Sequence, residues 1–67
     1  MAYFDIEREI TYTVMENDDY YIVGFSLPND PERFYPAAGF PHRKDREAAE
    51  LDLETLADAK KLRKVRG

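Results

Sequence analysis

Cysteine is absent from this 67-residue chain, which excludes disulfides and thiolate metal sites. An unstapled domain of this size is expected in the cytoplasm rather than among small secreted scaffolds. Histidine and serine occur once each, at His42 and Ser26. A serine triad would have to be built from those single copies, and zinc would lack its usual ligands. No apolar run approaches the roughly 18 residues needed to cross a membrane. The opening Met-Ala-Tyr-Phe-Asp-Ile has no basic region followed by an apolar stretch, so no signal peptide is expected. Neither the EF-hand spacing nor a glycine-rich phosphate loop is present. These absences point away from an enzyme and from any cofactor, metal, small-molecule ligand or membrane association.

What the chain has is enough apolar material to fold. Hydrophobic residues make up 43% of it, with five tyrosines and four phenylalanines, too many for a disordered tail. The whole of 1–67 reads as a single domain. Only about 60% of the unfolded surface is buried at this size, so stability is marginal and self-association is a natural support. The net charge of −4 is unevenly spread. Acids dominate up to residue 40 and bases dominate after it, so partners of either sign are compatible with the chain.

Two segments, Glu9 to Met15 and Tyr20 to Leu27, are rich in β-branched and aromatic residues, as strands require. Folding them around Glu16-Asn17-Asp18-Asp19 sets Val14 opposite Tyr21, Tyr12 opposite Val23, Ile10 opposite Phe25 and Arg8 opposite Leu27. Those pairs form a core face. Met15, Tyr20, Thr13, Ile22, Thr11, Gly24, Glu9 and Ser26 fall on the other face, because side chains alternate along a strand. Tyr3 to Ile6 fits either an added strand or a helical turn.

Pro28, Pro31, Pro36 and Pro41 end the second strand and impose a long connection. Connections beyond about 12 residues are unusual in a small domain, so a short edge strand near Glu32 to Tyr35 is the natural resolution. A helix is expected from Lys44-Asp45 to about Val65, with Asp45 as N-cap, acids early and bases late. Its apolar residues form two stripes: Ala48, Leu51, Thr55, Ala59 and Leu62, and about 120° away Ala49, Leu53 and Leu56. One stripe packs on the sheet and the other faces outward. The expected fold is α+β: an antiparallel hairpin, or a three-stranded sheet if the edge strand forms, against one C-terminal helix.

Three clusters are candidates for function. Met15, Tyr20 and Ile22 on the second hairpin face, with Asp18 and Asp19 beside them, have the composition of a protein-binding core with an acidic rim. Phe34 and Tyr35 in the proline-rich connection, and Leu53 and Leu56 on an outward helix stripe, extend that candidate; closure of the core edge is the plainer role for the connection. His42, Arg43 and Lys44, with the run Lys60, Lys61, Arg63, Lys64 and Arg66, form the alternative, a surface for nucleic-acid phosphates. The plainer account of that run is a basic helix end favoured by its dipole.

The stretch from Glu16 to Pro28, an acidic turn followed by Tyr-Tyr-Ile-Val-Gly-Phe-Ser-Leu-Pro, resembles the hairpin of HicB-type antitoxins. The Gly-Cys segment that follows in that family is replaced by Asn29-Asp30-Pro31-Glu32, and an appended DNA-binding domain is not expected. The resemblance implies a scaffold suited to blocking another protein stoichiometrically, as small acidic phage inhibitors do. The expected function is therefore non-enzymatic protein binding, plausible as inhibition of a nucleic-acid-handling protein. A nucleic-acid-binding module and a homodimeric structural protein are the alternatives.

Overall fold

The hairpin forms, but two residues away from the expected register. In the computed structural model, which describes residues 2–65, strands β2 (Ile10–Asn17) and β3 (Tyr20–Leu27) pair with Val14 opposite Val23, Tyr12 opposite Phe25 and Asn17 opposite Tyr20. The turn is therefore Asp18-Asp19, not a loop centred on Asn17-Asp18. Asn17 explains the shift. Its side-chain oxygen accepts from the Asp18 amide at 2.9 Å, and its amide nitrogen donates to the Tyr20 hydroxyl at 2.9 Å, so it closes the ladder instead of entering the turn. A two-residue displacement is one full pleat period, and both faces keep their expected residues.

Strand β1 (Ala2–Asp5) pairs antiparallel with β2 across a turn at residues 6–9. Arg8 lies in that turn and so does not face Leu27. Asp5 builds the turn: its Oδ1 accepts the Glu7 and Arg8 amides at 3.0 and 3.2 Å, and its Oδ2 accepts the Arg8 guanidinium at 3.3 Å. Burial alone would raise the Asp5 carboxyl, but these bonds and the Arg8 charge outweigh it and hold the group below its ordinary range. A depressed carboxyl stabilises the fold above its unfolded value and loses that contribution as pH falls below about 4. Urea midpoints at neutral and acid pH should therefore show wild type losing more stability on acidification than Asp5→Asn; equal losses would remove Asp5 from the acid response.

Strand β4 (Asp30–Pro36) follows a two-residue turn at Pro28-Asn29 and pairs with β3, Phe25 facing Tyr35 and Gly24 facing Pro36, with a bulge between Phe25 and Leu27. The long connection thus resolves into an edge strand, where proline is tolerated.

Helix α1 spans Arg46–Lys60, five residues short of the expected end. Asp45 occupies the N-cap position in an extended conformation, without a side-chain cap bond. At the other end Lys61 is left-handed (φ 54°), and the Leu62 amide bonds back to the Ala57 carbonyl at 2.9 Å. Continued as helix, Leu62 would lie on the stripe of Leu51, which is 63% exposed. Broken at Lys61, the chain turns Leu62 onto the core and leaves as strand β5 (Arg63–Val65), antiparallel to β1. Burial of one leucine accounts for the early stop.

The sheet has five strands in the order β4-β3-β2-β1-β5, with α1 on one face. Tyr12, Val14 and Val23 meet Ala49 and Leu53, and the small side chains of Ala49 and Ala57 let the helix approach closely. The expectation of Leu53 and Leu56 on an outward stripe is corrected here. Leu53 is fully buried beside Val23, Leu56 packs partly against the same core, and Leu51 is the leucine that faces out. Val23 fills the centre because it lies on a middle strand directly under that helix stripe.

Candidate protein interface

One helix covers one face of the sheet, and among the described residues no element covers the other. Strand alternation assigns to this open face Phe4 of β1, Thr11, Thr13 and Met15 of β2, Tyr20, Ile22, Gly24 and Ser26 of β3, and Phe34 of β4. Those on β1, β2 and β3 are uncharged; the outer strands add charge to the same face, Arg63 of the C-terminal strand opposite Phe4 and Glu32 two residues before Phe34. The row along β3 forms a tight floor: Ile22 is 4% and Ser26 3% exposed although no helix lies above them. Met15 leans across Gly24, where an added Cβ would collide with the Met15 sulfur and lie 3.1 Å from the Tyr35 carbonyl. Glycine is needed there for that close approach. Phe4, Met15, Tyr20 and Phe34, all half-buried, stand around the floor.

The turns at the two ends of this face carry carboxylates. Glu16, Asp18 and Asp19 surround the β2–β3 turn, and Glu7 and Glu9 lie in the β1–β2 turn, about 25 Å away by the rise of an eight-residue strand. All five are exposed. The result is an apolar and hydroxyl band along the three inner strands, with acid at either end and Arg63 and Glu32 on the outer strands.

The sequence-derived protein-binding set is only partly assembled on this surface. Met15, Tyr20, Ile22 and Phe34 share the open face, and Asp18 and Asp19 are at its end. Ile22 belongs to the buried floor, so its side chain is not presented to a partner. Tyr35 points to the helix side, its ring 5.8 Å from Phe25. Leu53 and Leu56 belong to the core. Phe4 was missed by the sequence reading, although Ala2, Phe4 and their neighbour Tyr3 follow the same alternation as the hairpin.

The alternative basic surface does not form as one site. Residues 41–43 run along β3 beyond the end of β4, where Tyr21 and Arg43 exchange backbone hydrogen bonds of 2.6 and 2.8 Å. His42 stacks on Tyr20, ring centroids 3.9 Å apart and planes within 7°. Arg43 is committed to Asp52 of α1 through two bonds, Nε to Oδ2 at 2.9 Å and Nη2 to Oδ1 at 3.0 Å. That bidentate partner raises the guanidinium's already high pKa against a small opposing effect of burial. Lys44 is exposed nearby. Lys60, Lys61, Arg63 and Lys64 lie toward the other edge, with β5 three strand spacings from β3, about 14 Å. Arg66 lies outside the described residues.

The chain matches no family model, no curated protein and no solved structure. The likeness to HicB-type antitoxins is thus confined to the hairpin, and no site is transferred from it. No helix is long and apolar enough to cross a membrane, and the described residues contain no group of three or more His, Asp or Glu placed to hold a metal ion.

Proposed function

We propose that this chain is a non-enzymatic, cytoplasmic protein-binding module that docks its partner on the open face of the sheet. The observation that carries this reading is the set of apolar side chains Phe4, Met15, Tyr20 and Phe34 on one face of the sheet, left without a covering layer and ended on both sides by exposed carboxylates. Aromatic and methionine side chains on a firm floor supply contact area at little conformational cost, and the acidic ends select partner surfaces bearing lysine or arginine around an apolar patch. A nucleic-acid-handling protein has such a surface, and covering it would make this chain a stoichiometric inhibitor of phage or antitoxin type. Nucleic acid itself is disfavoured by the same carboxylates.

The test compares the immobilised chain with Tyr20→Ala/Phe34→Ala in retaining proteins from an extract of its host. A specific partner should be retained by wild type, lost by the variant, and released as salt rises toward about 0.3 M, where the Debye length falls to roughly half its low-salt range. Equal retention by both proteins, unaffected by salt, would remove the open face from consideration. If retention is by a second copy of the chain, the solution mass of the purified protein will show a dimer, and the face serves self-association instead.

A further inference from the structure

The two edges of the sheet are not equivalent. β4 carries Pro31 and Pro36, which have no amide proton to offer an added strand. β5 has no proline, all three of its residues are exposed, and no described strand pairs with its outer side. Beside it, a groove opens between the β1–β2 turn and the end of α1. Its lining includes Phe4, Ile6 and Leu62 as apolar members, the unpaired cations Lys60, Lys61 and Arg63, the Asp5–Arg8 ion pair and one exposed carboxylate, Glu7, so its balance is positive. Ile6 is 56% exposed there and Val65, at the end of β5, is 40% exposed.

Ion pairing separates these cations from the other described arginines; Lys44, toward the opposite edge, is likewise unpaired but stands alone. Arg8, Arg33, Arg43 and Arg46 each meet a carboxylate of the chain. Lys60, Lys61, Arg63 and Lys64 meet none among the described residues, although acids outnumber bases fourteen to ten. Unpaired cations, exposed aliphatic side chains and an unprotected strand edge therefore coincide at one corner. A second copy is a poor occupant, because symmetric antiparallel pairing of β5 with itself would set Lys64 against its own equivalent, or Arg63 against Lys64, with no acid between them. A nucleic-acid strand would gain nothing from Ile6, Leu62 and Val65, and has no backbone amides to pair with the strand edge. An acidic polypeptide answers all three features at once.

We propose that the β5 edge and its groove bind an extended, acidic segment of a partner protein, which adds to the sheet as a sixth strand. Its backbone bonds to the outer side of Arg63–Val65, its carboxylates pair with Arg63, Lys64 and the two lysines, and an aliphatic side chain covers Ile6 and Leu62. The proposal does not rest on the open-face reading: the two surfaces share Phe4 and Arg63, but this one needs the backbone edge of β5 and a partner of opposite charge.

The probe is a capped heptapeptide of glutamate and valine with its glutamates in adjacent pairs, which puts carboxylates on both faces of the added strand, titrated into the whole chain while backbone amide shifts are followed. Shifts should concentrate in residues 2–5 and 60–65. A peptide N-methylated at alternate amides, and the variant Arg63→Gln/Lys64→Gln, should each weaken binding on the order of tenfold. The methylated peptide keeps the test independent of any variant's folding. The proposal is overturned by absence of shifts at about millimolar peptide, by shifts centred elsewhere, by equal affinity of the methylated peptide, or by a DNA oligonucleotide displacing the peptide from the same amides.

Discussion

Leu53→Ala should leave the chain largely unfolded at room temperature, while Leu51→Ala, two residues away on the same helix, should leave stability within about 0.5 kcal/mol of wild type. Leu53 is fully buried against Val23, and Leu51 is 63% exposed. Truncating a buried leucine costs about 2–5 kcal/mol, from lost transfer free energy and from the cavity left behind. A 67-residue domain has only about 3–10 kcal/mol in total, so the loss is comparable with the whole stability. Urea unfolding followed by circular dichroism checks the pair. Equal costs, or the larger cost at Leu51, would mean that the helix presents a different stripe to the sheet.

The second large effect is expected at Ile22, on the side away from the helix. Ile22→Glu should abolish cooperative folding, because a carboxylate would enter a site that is 4% exposed and bordered on its face by Tyr20, Gly24 and, across the ladder, Met15, with no cation described beside it. Ile22→Ala should cost about 2–4 kcal/mol, as a cavity in a packed site does. Tyr20→Ala, at a half-buried position with a ring stacked on His42, should cost less than Ile22→Ala. If Ile22→Glu folds with a normal unfolding transition, the floor of the open face is looser than its burial implies. The ordering matters for function as well, since a charge at Ile22 would abolish partner binding by unfolding and would say nothing about the interface.

These expectations rest on features that were unequally legible in the sequence. The division of the hairpin into two faces was readable because period-two alternation survives a two-residue error in register; the pairing itself was not, because it turned on whether Asn17 entered the turn or clamped the ladder. The edge strand at Asp30–Pro36 was legible from the cost of a long unstructured connection. The helix was readable at its start and not at its end. No glycine marks the stop at Lys61, and the reason for it is tertiary, the burial of Leu62. Strand β5 was hidden for the same reason, its basic residues being equally at home on a helix terminus. With two apolar stripes about 120° apart, periodicity alone could not choose the inner one; the buried pairing of Leu53 with Val23 does. Of the candidate interface, composition located Met15, Tyr20, Asp18 and Asp19. It could not separate Ile22, which supports the face, from neighbours that form its surface.

The central claim is that the face opposite α1 is where this chain meets its partner. The most direct measurement places a photo-crosslinking amino acid at Phe34 on that face, or at Leu51 on the exposed side of the helix, and irradiates each in the host cell. A discrete adduct from Phe34, competed by unlabelled wild-type chain and absent from Leu51, is the predicted result. An adduct from Leu51 alone, or the same adducts from both positions, would contradict it.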